Sequence, residues 1–270
     1  MRLGMGSYAR YWASGVPGYP PEHPLRAEGL IEFAARLGLK VVQIADNMPL
    51  DAISQERLSK IRDLSQERGI AIEVGTRGIT LGHLRRCLKL ARFFDSPILR
   101  VVVDTSDHHP SPSEVVQLIS RVVPHLEDNR VVLAIENHDR FKCRQLVQIL
   151  EQVNSPWVGI CLDTVNSFGA LEGPDVVVDT LAPWVVNLHL KDFTVRRAVH
   201  MMGFSVEGCP AGEGQLDIPW LLSTMRTHGK DPNAILELWV SPEERLEDTI
   251  RKEEQWAVRS VNHLRSFIPD

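Results

Sequence analysis

A chain of 270 residues, 43% hydrophobic and 24% charged, has the make-up of an ordinary globular protein and cannot be a disordered one. Its 30 Lys and Arg against 35 Asp and Glu leave a formal charge of −5, which argues against nucleic acid as the main partner. Apolar runs such as 131–135 fall far short of the ~20 residues that span a bilayer, so no membrane partner is expected.

The first residues, MRLGMGSYAR, hold no apolar stretch of leader length, and a cytoplasmic location is expected. Cys87, Cys143, Cys161 and Cys209 lie far apart without zinc-ligand spacing, and read as reduced, mostly buried thiols.

Short β-branched runs predict strands at 2–7, 40–45, 70–74, 98–103, 130–136, 158–163, 185–190 and 234–239. Amphipathic stretches between them predict helices over 25–37, 54–68, 80–94, 113–126, 143–153, 174–181, 218–228 and 244–267. The second of these helices opens on a capping residue, Ser54, and stops at Gly69. The fourth opens at Ser113, after Pro112, with Val115, Val116, Leu118 and Ile119 turned inward.

The strands are nearly continuous apolar runs, as expected where helices cover both faces of a parallel sheet. Eight βα units at a spacing of about 30 residues predict a single (β/α)8 TIM barrel over 1–270 rather than an open doubly wound sheet. Two stretches interrupt the rhythm: 8–24, rich in Pro, Gly and aromatics, and 192–215. They predict extended loops after strands one and seven, on the face where barrels of this kind build their sites.

Four later strands each carry an ionisable residue near the end of an apolar run: Glu136, Asp163, His189 and Glu237. At one end of a barrel they would converge. Three carboxylates and an imidazole repel unless a cation sits among them. Their O and N donors suit a divalent ion, with Mn²⁺ favoured and Mg²⁺, Co²⁺ or Zn²⁺ also compatible. The alternative is a salt-bridge network built on Lys191 and other basic residues.

The segments AIENH (134–138), CLDTVNS (161–167), NLHLKD (187–192), AGEGQLD (211–217) and AILELW (234–239) together resemble the xylose isomerase-like TIM-barrel superfamily, with its sugar phosphate isomerases and epimerases and the D-tagatose 3-epimerase group. The resemblance spans nearly the whole chain. It implies that Glu136, Asp163, His189 and Glu237 hold the metal, and that Glu136 and Glu237 form the acid/base pair of an epimerase. It also leaves room for a homo-oligomer.

Where many members carry Asp-x-x-His after strand six, this chain has Asp163-Thr164-Val165-Asn166, and Asn166 cannot shuttle a proton. Further substrate contacts are expected from His138, Lys191, Glu73, Arg196 and Trp12. Glu73 could instead pair with Arg100, Gln43 and Asp46 could meet hydroxyls, and AGEG could offer backbone N–H groups to a phosphate.

The leading expectation is a metal-dependent isomerase or epimerase of a small sugar, sugar phosphate or sugar-derived acid, acting through an ene-diolate. The alternative is a lyase, a decarboxylase or dehydratase of a 3-oxo sugar acid or related keto compound, whose carboxylate the arginines after strand seven would hold. A DNA-repair role on the same barrel would need more histidines at the strand ends and a basic groove, and the chain has neither.

Overall fold

A computed structural model describes residues 1–269. Eight parallel strands close into a barrel: β1 (Leu3–Gly6), β2 (Val41–Ile44), β3 (Ala71–Arg77), β4 (Ile98–Val102), β5 (Val132–Glu136), β6 (Val158–Asp163), β7 (Val185–Leu190) and β10 (Ala234–Leu236). Two further strands, β8 (Asp192–Arg197) and β9 (Phe204–Cys209), stand outside the ring. Each barrel strand pairs with its neighbour in chain order, and β10 closes the ring against β1 through Leu3–Ala234, Gly4–Ile235 and Met5–Leu236.

A short helix, α1 (Tyr11–Ser14), follows β1. Helices α2 (Ala27–Arg36), α3 (Gln55–Glu67), α4 (Leu81–Phe93), α5 (Pro112–Asn129), α6 (Cys143–Val153), α7 (Pro174–Leu181), α8 (Ile218–Thr227) and α9 (Leu246–Leu264) build the outer layer. Local chemistry sets their limits. Ser54 and Asp217 accept the backbone N–H of Arg57 and Trp220 at the starts of α3 and α8. α5 begins one residue earlier than the pattern predicts, because Ser111 caps it and Pro112 fills its first position. Among the described residues, no helix is long and apolar enough to cross a membrane. All four cysteines are buried and free.

The two interruptions have structure of their own. The first folds into a 3-10 turn (Ser7–Arg10) that leads into α1. Glu253 on α9 fastens it, accepting the N–H groups of Trp12 and Ala13 at 2.8 and 3.1 Å. The second is not a loop throughout, because β8 and β9 pair in it as an antiparallel hairpin. Its alternation is masked in the sequence because several of its apolar residues, Val195, Phe204 and Val206 among them, face solvent.

Candidate metal centre and cleft

The ends of β5, β6 and β7 and the residue after β10 bring Glu136, Asp163, His189 and Glu237 together, each side chain 1% exposed or less. His189 Nδ1 lies 3.2 Å from Glu136 Oε2, 3.7 Å from Asp163 Oδ2 and 3.5 Å from Glu237 Oε2. Ligand atoms around an ion with bonds of about 2.1 Å stand about 3.0–3.4 Å apart, so the spacing suits a shared cation.

Local folding aims each donor inward. Asp163 turns Oδ1 back to accept the N–H of Val165 and of Asn166, both at 2.9 Å, which leaves Oδ2 for the centre. Asn137 ties the two strand ends, donating to the Asp163 carbonyl and accepting its N–H. Glu237 fits because residue 6 is glycine: a Cβ there would stand 2.8 Å from Glu237 Oε1. His189 Nε2 lies 2.6 Å from Gln43 Oε1, which can only accept, so a neutral His189 carries its lone pair on Nδ1.

The counter-charges are unevenly spread. Arg100, inside the buried run of β4, bonds Glu136 Oε2 through Nε and Asp46 through Nη1 at 3.1 Å. Asn166 Nδ2 donates to the other oxygen of Glu136 at 2.7 Å. Burial pushes the Glu136 carboxyl up, yet the charge of Arg100 beside it holds it well below the usual range. Lys191 Nζ stands 2.8 Å from Asp163 Oδ2 and 2.9 Å from Glu237 Oε2, so part of the ion-pair network weighed from the sequence is present.

That network does not satisfy the centre. His189 Nδ1 and Glu237 Oε1 are buried without a hydrogen-bond partner among the described residues. A proton on Nδ1 would have no aligned acceptor, whereas a cation would meet the lone pair and all three carboxylates together. The four residues therefore fit a divalent ion. Cys161 also adjoins Glu136 and His189. Burial raises its thiol to about 11, and its Sγ donates to Asn187 Oδ1 at 3.3 Å.

A cavity of about 180 Å³ opens onto this floor, lined by Tyr8, Tyr11, Arg77, Arg100, Glu136, His138, Asn166, Lys191, Glu237, Leu238 and Trp239. Of the substrate contacts expected from sequence, His138, Asn166 and Lys191 line it. Three others do not.

Glu73 lies near the start of β3, one layer below the floor, bonded to Gln43, Asn187 and Asn233 rather than to Arg100. Arg196 is exposed on β8, on the hairpin and away from the cavity. Trp12 donates its indole N–H to the Val240 carbonyl and lines a neighbouring cleft with Val206 and Trp239. Gln43 and Asp46 are committed to His189 and to the two arginines. The N–H groups of Gly212 and Gly214 in AGEG point to Asp192 Oδ2, at 2.9 and 3.0 Å, and are not open to a phosphate.

The sequence reading missed Tyr8, Tyr11, Arg77 and Trp239, and gave Arg100 the wrong partner. An arginine within the apolar ILRVV of β4 was the available signal, since a buried guanidinium demands a buried anion.

The family model described as xylose isomerase-like TIM barrel matches residues 31–267. A 3-oxo-isoapionate decarboxylase of Pectobacterium atrosepticum is 35% identical over 266 residues, covering 98% of this chain and 95% of the relative. Among solved structures, a D-psicose 3-epimerase crystallised in the presence of D-fructose superposes with a TM-score of 0.74 at 16% identity, covering 99% of each chain. A xylose isomerase-like TIM barrel protein of Mycobacterium smegmatis in complex with magnesium gives 0.68 at 14% identity, covering 96% of each. At those identities the two structures establish a shared fold.

Proposed function

The chain belongs to the xylose isomerase-like TIM-barrel family, and on that premise we propose that it is a divalent-metal-dependent decarboxylase of a 3-oxo sugar acid. The likeness to the 3-oxo-isoapionate decarboxylase, running the length of both chains, carries this reading. It moves the weight from the epimerase to the lyase, the second of the two chemistries expected from sequence.

Glu136, Asp163, His189 and Glu237 would hold the ion, with Mn²⁺ the first choice for this O and N donor set. Bound there, it would serve as a Lewis acid toward the substrate carbonyl. In the reaction the bond between C1 and C2 breaks, its electron pair moves toward the C3 carbonyl, CO₂ leaves and C2 takes up one proton.

The side chains suit that demand. An epimerase needs proton-active groups on both faces of the substrate, and Glu136 is occupied on both oxygens by Arg100 and Asn166. Decarboxylation needs no base for its first step. Glu237 lacks the hydrogen bonds that hold Glu136 and lines the cavity beside Lys191 Nζ, 2.9 Å from Oε2, so we assign to Glu237 the return of a solvent-derived proton to C2.

Arg77 receives the departing carboxylate. Arg100 and Lys191 are saturated by buried carboxylates, whereas the Arg77 guanidinium, paired with Asp46 through Nε at 3.1 Å, is 34% exposed and lines the cavity. The test is direct: Mn²⁺-loaded protein is incubated in D₂O with a panel of 3-oxo sugar acids and of ketoses. CO₂ release with one deuterium at the former C2 is expected. Deuterium exchange into recovered ketose without CO₂ release would reinstate the epimerase.

A further inference from the structure

Beneath the metal floor the barrel is filled by a second polar layer that none of the proposed chemistry uses. Gln43 and Glu73 face inward from paired positions on β2 and β3, and Asn187 comes from β7. All three are 2% exposed or less. A cluster of this kind is costly unless every group in it is paired.

The pairing here has a direction. Glu73 takes three amide N–H bonds: from Gln43 Nε2 and Asn187 Nδ2 on Oε2, each at 3.1 Å, and from Asn233 Nδ2 on Oε1, at 2.7 Å. A carboxylate can only accept, so both glutamine and asparagine must turn their NH₂ groups toward it. The second hydrogen of Gln43 goes to Asn187 Oδ1 at 2.9 Å. Gln43 is thereby left with only its carbonyl oxygen for His189, 2.6 Å from Nε2.

We propose that Glu73, acting through Gln43, is the positioning residue that locks His189 in the Nε2–H tautomer and so keeps Nδ1 available to a metal ion. The inference rests on the reading of Glu136, Asp163, His189 and Glu237 as a metal centre. It gives Glu73 a different duty from the substrate contact expected of it. The anion sits two side chains away from the ring it governs. Replacing Glu73 by the isosteric Gln sets an NH₂ among three others; the relief open to the layer is to flip Gln43, whose NH₂ would then face Nε2 and drive the proton onto Nδ1.

The test measures metal affinity rather than turnover. Mn²⁺ is titrated into wild type, Glu73→Gln, Gln43→Met and Asn233→Ala, and free ion is followed by electron paramagnetic resonance, with circular dichroism and thermal melts of the metal-free proteins as a check on folding. Glu73→Gln and Gln43→Met should bind Mn²⁺ about 10–100-fold more weakly. Asn233→Ala removes a donor to the same carboxylate without touching the Gln43 contact, and should stay near wild type.

Folded Glu73 and Gln43 variants with wild-type affinity would overturn the proposal, as would an equal loss in Asn233→Ala, which would signal general loosening. ¹⁵N spectra of the Mg²⁺-loaded wild type keep the proposal open to refutation even if the variants fail to fold: a proton on Nδ1 of His189 overturns it. If wild type retains no Mn²⁺ at all, the metal centre itself is wrong and this inference goes with it.

Discussion

The two walls of the cleft are built on opposite plans. On the β5–β6 side, Glu136 is gripped by Arg100 and Asn166 and Asp163 by the backbone that follows it. On the β1–β10 side, Glu237 lies beside a glycine, its oxygens without an aligned hydrogen bond and held by the Lys191 ion pair alone. Two glutamates that look interchangeable in sequence thus differ: one is gripped through both oxygens, the other only ion-paired with Lys191. An enzyme that moves a proton on one face alone is served by that inequality, and one that inverts a stereocentre is not.

The bluntest way to break the contrast is to remove what both walls share. Exhaustive chelation should abolish CO₂ release, and added Mn²⁺ should restore it; full turnover in the stripped protein would sink the metal mechanism. Next, Glu237→Gln should lower kcat by about 10²–10⁴-fold, the usual worth of a general acid or base. Turnover near wild type with normal metal content would move the proton to another group.

On the fixed wall the larger effect falls on stability. Arg100→Met leaves Glu136 without its buried partner and should cost about 3–5 kcal/mol, read from the urea midpoint. Arg77→Gln tests the mouth of the cleft. Its loss should raise KM for the acid about 10–100-fold with kcat little changed, because a charged contact to the substrate carboxylate made before the C–C bond breaks supplies binding rather than catalysis.

The smallest effect concerns the anchor behind the free wall. Burial raises the Glu253 carboxyl to about 7 although two N–H groups and Arg10 oppose it. The folded protein therefore keeps a proton that the unfolded chain releases from about pH 4.5, and stability falls as pH rises through this window. Glu253→Gln should flatten that decline between about pH 5 and pH 7.5 in urea unfolding.

Much of this was written in the chain. The barrel follows from the period of its βα units, and the four converging residues stand out as ionisable groups ending apolar runs. What lay hidden were relations rather than identities. Nothing in the run AIEVG around Glu73 tells that its side chain sits deeper in the barrel, because depth is set by how the strands stagger. Arg77 ends β3 like any surface arginine, and only closure of the ring brings it over the same cavity as Glu237. Arg196 was misplaced because hairpin pairing between β8 and β9 carries it outward.

Asp192 accepts four backbone N–H groups, from Phe193, Gly212, Gly214 and Leu216, and so gathers both roots of the inserted hairpin onto one carboxylate. The ring of strands below keeps its own bonds, since β8 and β9 pair with each other outside it. The insertion is thus tied at its base by a single side chain, outside the ring of strands beneath it.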